Sequence, residues 1–182
     1  QLTRTAEYDL QGNLYDSGYG ASTENIYDAI GNLIESRTYN DQGELYDYGT
    51  AITKWVFDMN GDNVQTSYLN AVNSPSTDYN GVAVYKSIFD DRHNCLETAT
   101  YDDFNELVSD YNGVAIYRYK FDANNYCIET SRYGADGELY DGDYYTATEK
   151  KSYDAKGNLL ESAYYDASGE LTTDSYSSAA IT

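Results

Sequence analysis

The sequence is short of the residues from which ordinary cores and active sites are built. Leucine, isoleucine, valine and phenylalanine together number 31 of 182 residues. There is one proline, one methionine, one tryptophan, one histidine and two cysteines. One histidine and two cysteines exclude the repeated ligand spacing of a Cys/His metal centre, and no serine or cysteine nucleophile has a positioned base in a known motif. The expectation is a protein that is not an enzyme. Positive charge is scarce too, with 11 Lys and Arg against 31 Asp and Glu and a formal charge of −20. Such a surface is repelled by nucleic-acid phosphates and by anionic membranes. No apolar run approaches the roughly 18 residues of a membrane span. Divalent cations, basic proteins and neutral glycans are left as partners.

Few aliphatics and a high net charge, taken alone, describe a disordered chain. The 23 tyrosines argue the other way. A tyrosine ring is apolar with a polar tip, so it can cover a thin, half-wet core. These tyrosines also keep a period, for which a disordered tract has no need.

The period comes from a repeated phrase. Tyr-Asp-x-x-Gly-Asn-Leu occurs at Tyr8–Leu14, Tyr27–Leu33 and Tyr153–Leu159, and Tyr-x-x-x-Gly-Glu-Leu at Tyr39–Leu45, Tyr133–Leu139 and Tyr165–Leu171. With worn copies at Phe57, Phe89 and Phe121, the first series falls at 27, 57, 89, 121 and 153, in steps of 30, 32, 32 and 32. A fixed step of this size is the mark of a repeat array, which builds a surface more often than a single catalytic centre.

Within a repeat, Asp opens each turn and Gly stands where a type I turn with a G1 bulge needs positive φ. Between turns the residues alternate: Leu159, Glu161, Ala163 and Tyr165 on one face, and Leu160, Ser162 and Tyr164 on the other. No stretch sustains a helical period. The predicted fold is all-β: tandem hairpins of about 32 residues stacked as an elongated or coiled antiparallel sheet, with a β-propeller as the alternative. The array is expected to fill residues 1–182 and to be part of a longer one. Asn70 to Asp78, which holds Pro75, reads as a looser turn inside it.

Aligned copies give structural columns. Ala21, Ala51, Ala83, Ala115, Ala147 and Ala179 form one, and Tyr27, Phe57, Phe89, Phe121 and Tyr153 stand six residues later on the same face. The small alanine leaves room for a ring from a neighbouring strand.

The phrase Tyr-Asp-x-x-Gly-Asn-Leu resembles the tyrosine-aspartate (YD, or RHS) repeats of bacterial cell-surface and toxin-shell proteins. The 20-residue step from Tyr133 to Tyr153 is similar to that family's spacing, whereas the step from Tyr153 to Tyr165 is 12. The resemblance implies an extended antiparallel sheet on a secreted or surface-exposed protein: a spacer, fibre or shell that adheres to other proteins or to itself. Tyr164-Tyr165-Asp166 is also similar to the aromatic hairpins of choline- and glucan-binding modules, which implies a glycan as an alternative partner.

Three candidate sites follow. Glu35, Gln65, Glu97, Glu129 and Glu161 share a face with Tyr39, Tyr68, Tyr101, Tyr133 and Tyr165. This face could bind Ca²⁺, accept structural hydrogen bonds or serve as a solvated charge row. Asp58, Asn60 and Asp62 look like part of a calcium loop that lacks its closing acid. Cys95 and Cys127 occupy one column in adjacent repeats. Single-step stacking of whole repeats would permit the ~7 Å Cα separation of a disulfide, whereas intervening hairpin strands at ~4.8 Å each would place the pair too far apart; free thiols are the expectation. His93 falls at the glycine position of a turn.

Overall fold

The computed structural model describes residues 1–16, 18–46, 49–142 and 146–173; Ala179 lies outside them. The described residues form strands and turns, with no helix. The eleven strands are β1 (Leu2–Ala6), β2 (Ser22–Tyr27), β3 (Leu33–Tyr39), β4 (Ile52–Phe57), β5 (Asn63–Leu69), β6 (Val84–Phe89), β7 (Cys95–Tyr101), β8 (Ile116–Phe121), β9 (Cys127–Tyr133), β10 (Thr148–Tyr153) and β11 (Leu159–Tyr165). The chain divides into two compact units, Gln1–Tyr85 and Lys86–Thr182. In each, strands adjacent in sequence are antiparallel neighbours in an open sheet. The fold is the predicted all-β array of tandem hairpins, and the sheet stays open where a propeller would close.

Each repeat pairs two strands as a hairpin, then joins the next hairpin through a shorter ladder. In the first unit, β2 and β3 match six residue pairs from Ser22↔Tyr39 to Tyr27↔Leu33, and β3 meets β4 over three, Glu35↔Lys54 to Arg37↔Ile52. The second unit repeats this, with six pairs between β8 and β9 and three between β9 and β10. The register slips at Ile26/Tyr27, Val56/Phe57, Lys120/Phe121 and Ser152/Tyr153, so these aromatics sit at bulges beside the turns. An extra residue there matches the twist of the strands to the turn that follows.

Beyond Tyr39, Tyr101, Tyr133 and Tyr165 the chain makes a second small hairpin, marked by the bridges Tyr39↔Leu45, Tyr101↔Leu107, Tyr133↔Leu139 and Tyr165↔Leu171. The stretch read as a loose turn is a regular member of this series. Asn70 N donates to Ser74 O at 2.9 Å, and Leu69 bridges Pro75, which holds the leucine place. The difference arises because Asn73 supplies the left-handed residue, at φ 61°, that glycine supplies after Tyr39, Tyr133 and Tyr165 and Asn105 after Tyr101.

The alanine column is the seam between repeats. Ala115 N donates to Tyr133 O at 2.8 Å while its carbonyl accepts Thr100 N at 2.9 Å, so one residue links β7 to β9. Ala21, Ala51, Ala83, Ala115 and Ala147 are all buried. Around Ala115 pack Ala99, Ile116 and the half-buried Tyr101, Leu107 and Tyr133. Nearly half of the buried apolar side chains are these seam alanines, so little apolar volume is enclosed and each close approach counts. Ala115→Leu forces extra methylenes into this seam and is expected to cost about 1–3 kcal/mol. Ala155→Leu, at an exposed turn tip, is expected to stay within about 0.5 kcal/mol. Urea melts of the two variants check the contrast, and equal midpoints would remove the seam from the packing account.

Candidate functional site

The recurring feature of the chain is a five-residue turn closed by its first side chain. At Asp154, Oδ1 accepts Lys156 N at 2.8 Å and Asn158 N at 2.9 Å, and Oδ2 accepts Asn158 Nδ2 at 2.8 Å. The backbone adds Asp154 N to Asn158 O at 2.9 Å and Gly157 N to Asp154 O at 3.0 Å. The Asp and the Asn of the repeated phrase are thus the two halves of one clamp. Asp9, Asp28 and Asp90 form the same clamp with Asn13, Asn32 and Asn94. At Asn40 and Asn70 an amide oxygen takes the place of the carboxylate, accepting Glu44 N at 2.8 Å and Ser74 N at 3.0 Å. The clamp therefore needs an oxygen in the right place and not a charge.

The clamp also sets the titration of its carboxylates. The Asn13 side chain beside Asp9, the Asn94 side chain beside Asp90 and the Asn158 side chain beside Asp154 hold these carboxyls below their ordinary value of 3.8, and backbone amides add to the effect. Hydrogen bonds to the ionised form favour it.

A third turn, at 78–82 and again at 110–114, uses the same device and was not read from the sequence. Asp78 Oδ1 accepts Asn80 N and Val82 N at 2.8 and 3.1 Å, and Asp110 Oδ1 accepts Asn112 N and Val114 N at 2.8 and 3.2 Å. The second oxygens of these aspartates accept the hydroxyls of Tyr85 at 2.8 Å and Tyr117 at 3.0 Å. Burial, with the aspartate beside it, pushes each hydroxyl well above its ordinary range. The phrase Asp-Tyr-Asn-Gly-Val-Ala, at 78–83 and again at 110–115, was the signal that could have located this turn.

Cations cover the predicted binding face. Glu97 stands opposite Arg118, whose Nε lies 2.7 Å from its carboxylate, and the Arg118 guanidinium sits 4.7 Å from the centre of the Tyr133 ring. Glu129 stands opposite Lys150, with Nζ at 4.0 Å, and takes Lys120 Nζ at 2.6 Å; Lys150 lies 4.9 Å from the Tyr165 ring. Lys86 lies 4.1 Å from the Tyr101 ring. In the first unit Glu35 pairs with Arg37 and with Lys54 at 3.7 Å, while Arg4 lies 5.8 Å from the Tyr39 ring. Lys54, Lys86, Arg118 and Lys150 form a basic column with a step of 32, which an inventory of acids alone overlooks. Glu161 is exposed opposite Ser152.

At the calcium-like loop, Asp58 Oδ1 accepts Asn60 N at 2.9 Å and Asp62 N at 3.0 Å, so Asp58 serves the turn clamp. Among the described residues no group of three His, Cys, Asp or Glu side chains is placed to hold a metal ion. Cys95 and Cys127 are free thiols on β7 and β9, with β8 between them. His93 takes the left-handed turn position at φ 64°.

No protein-family model and no curated protein matches the chain. Among solved structures, the chain is similar to one in the TcdB2-TccC3-Cdc42 crystal structure, with 14% identity and a TM-score of 0.36 over 79% of its length. It is similar to the TcdB2-TccC3 structure without the hypervariable C-terminal region, with 12% identity and a TM-score of 0.37 over 79%. Against the Photorhabdus luminescens Tc holotoxin pore the figures are 12% and 0.25 over 81%. The chain spans 7%, 7% and 9% of the lengths of these three chains.

Two expected outcomes follow. Asp154→Ala lowers the thermal midpoint at pH 7, whereas Asp154→Asn keeps most of the turn, because Asn40 and Asn70 already act in that way. For the parent chain the folded carboxylates bind protons less readily than unfolded ones. Their contribution is therefore full above the ordinary value of 3.8 and is lost as the pH falls through it toward the lowered ones. Melts from pH 7 to pH 2 check the sign, and a clamp contribution that grows as the pH falls below 3.8 contradicts it. Secondly, calcium and chelator should both leave the melting temperature unchanged, since Glu35, Glu97 and Glu129 already face basic partners. A rise on adding calcium would show that the carboxylates exchange those partners for the metal.

Proposed function

We propose that this chain is a non-enzymatic structural segment of a repeat-built surface. It would be a wall or spacer of the YD or RHS kind, belonging to a bacterial cell-surface or secreted protein, with the shell of a larger toxin as one setting. The observation that carries the reading is the reuse of one clamp. The same aspartate or asparagine oxygen closes the hairpin turn, the small second turn and the third turn, in repeat after repeat. Many groups able to do chemistry are spent on this geometry: clamp carboxylates on amides, Glu35, Glu97 and Glu129 on Lys and Arg, and the half-buried Tyr85 and Tyr117 hydroxyls on aspartate. A module of this kind acts through shape, by continuing one surface from copy to copy.

A glycan-binding role would need open rings on the sheet. Those of Tyr39, Tyr101, Tyr133 and Tyr165 already carry a cation on one face, which favours the structural reading.

The test is insertion. A further copy of residues 90–121 placed after Phe121 should fold with the same β-sheet signal per residue and melt no lower than the parent. A chain organised around one unique site would be broken by 32 extra residues, and loss of the β signal by circular dichroism would overturn the proposal.

A further inference from the structure

We propose that the paired turns 102–106 and 110–114 form a docking surface for a cationic peptide segment. Phe104 and Tyr111 supply the rings, and Asp103 and Glu106 the charge. This inference rests on the surface-module reading and names a partner for it.

Phe104 is 80% exposed and Tyr111 74% exposed. They are the fully displayed aromatics of the second unit among the described residues. The clamp does not use the Phe104 ring. Phe104 contributes only its backbone N–H to the clamp, bonding Asp102 Oδ1 at 2.9 Å. The same place is filled by Gln42, Val72 and Ser168 in turns that close identically. At the opposite ends of the strands in this unit, the equivalent tips are Arg92, Asn124 and Lys156. The rings are thus gathered at one end.

The two turns share an anchor. Both lie between the end of β7 and the start of β8, and Thr100 Oγ1 is 2.6 Å from the Val108 carbonyl and 3.1 Å from the Ala115 carbonyl. Thr100 is itself buried. The rings therefore stand on fixed turns, so little order has to be imposed on binding.

Charge selects the occupant. Asp103 and Glu106 are exposed on either side of Phe104, and the chain carries −20 overall. Lys86, which bonds this turn, is held by Asn105 Oδ1 at 2.9 Å and by the Tyr101 ring. A second copy of this chain or a phosphate-bearing ligand would be repelled. An arginine- or lysine-bearing segment meets carboxylates and the faces of exposed rings, the combination already realised inside the sheet by Glu97, Arg118 and Tyr133.

The experiment is a titration of the full chain with fluorescein-labelled nona-arginine at about 150 mM salt, with cellohexaose as the neutral comparison. Saturable binding is expected, weakened about fivefold or more when Phe104→Ser and Tyr111→Ser are combined, with an unchanged melt. Asp103→Asn with Glu106→Gln should weaken it similarly. Ile30→Ser with Met59→Ser, at exposed tips of the first unit, should leave it unchanged. Equal binding by the ring variant would mean that the peptide spreads over the whole acidic surface, and the proposal fails. It fails also if cellohexaose binds and loses affinity in the ring variant while nona-arginine does not. A chain that accepts the inserted repeat yet ignores nona-arginine keeps its structural role and loses this partner.

Discussion

The structure depends on one interaction that recurs along the chain, the acceptance of two backbone amides by a single side-chain oxygen at the head of a turn. In the turn 134–138, headed by Gly134, the backbone bonds Gly134 N to Glu138 O and Gly137 N to Gly134 O stand without it. A hairpin whose turn is undefined slips in register, and a slip of one residue moves every side chain to the opposite face. In a chain with few aliphatics, the hydrophobic pattern alone is a weak guard against such a slip. The clamp provides the guard locally. Asp154 fixes where β10 ends and β11 begins before any distant contact has formed, and the bulge at Ser152/Tyr153 follows from that placement. Its energy is small per turn, but its repetition makes the register of each hairpin independent of the next.

What the clamp leaves to be solved is the joining of hairpins, and here the solution is close approach rather than bulk. The seam alanines let the backbone of one repeat bond two strands at once, and a larger side chain would hold the strands apart. Outside the seam, charge takes the part that aliphatics play in other sheets. An acid on one strand, a base on the next and a tyrosine ring beyond it form a row across the sheet. Such pairs at half-exposed positions are worth little singly. Their value here lies in direction: a Glu97 opposite Arg118 matches, whereas a shifted strand would set it opposite another group. The rows reinforce the register that the clamps set.

These two devices explain which parts of the structure could be read from the sequence. Most hairpin turns were legible because their demands fall on few residue types in fixed order: an oxygen first, a left-handed residue fourth and, in the clearest copies, an Asn or Glu fifth. The turn at Asn70 was misjudged because asparagine serves at both key places and proline stands at the bridge, so the same geometry is written in different letters. The third turn escaped because its phrase has no tyrosine before the aspartate, although 78–83 and 110–115 repeat it letter for letter. The acid column was visible and its function was not. Whether a carboxylate is open to a metal or paired with a lysine depends on cross-strand register, and Lys54 and Glu35 are 19 residues apart in the chain.

A repeat protein of this design separates folding from function more cleanly than a globular enzyme does. Positions that the clamp, the seam and the ionic rows use are fixed by structure and vary within narrow chemical limits. At Gln42, Val72 and Phe104 the third place contributes only its backbone amide to the clamp. Arg92 at that place also bonds the Ala123 carbonyl and Ser168 the Asp166 carboxylate, so the clamp itself leaves the choice of side chain there open. Those places hold Gln42, Val72, Phe104 and Ser168 at equivalent points, a spread of chemistry that the sheet tolerates without change. Any property by which one repeat differs from its neighbours has to be displayed there, on rigid supports at the ends of the strands. A large ring fully exposed at such a point carries a cost in water that the fold does not recover. Among the described residues of the second unit, the turns bearing Phe104 and Tyr111 are therefore where exposed aromatic rings would gain from being covered.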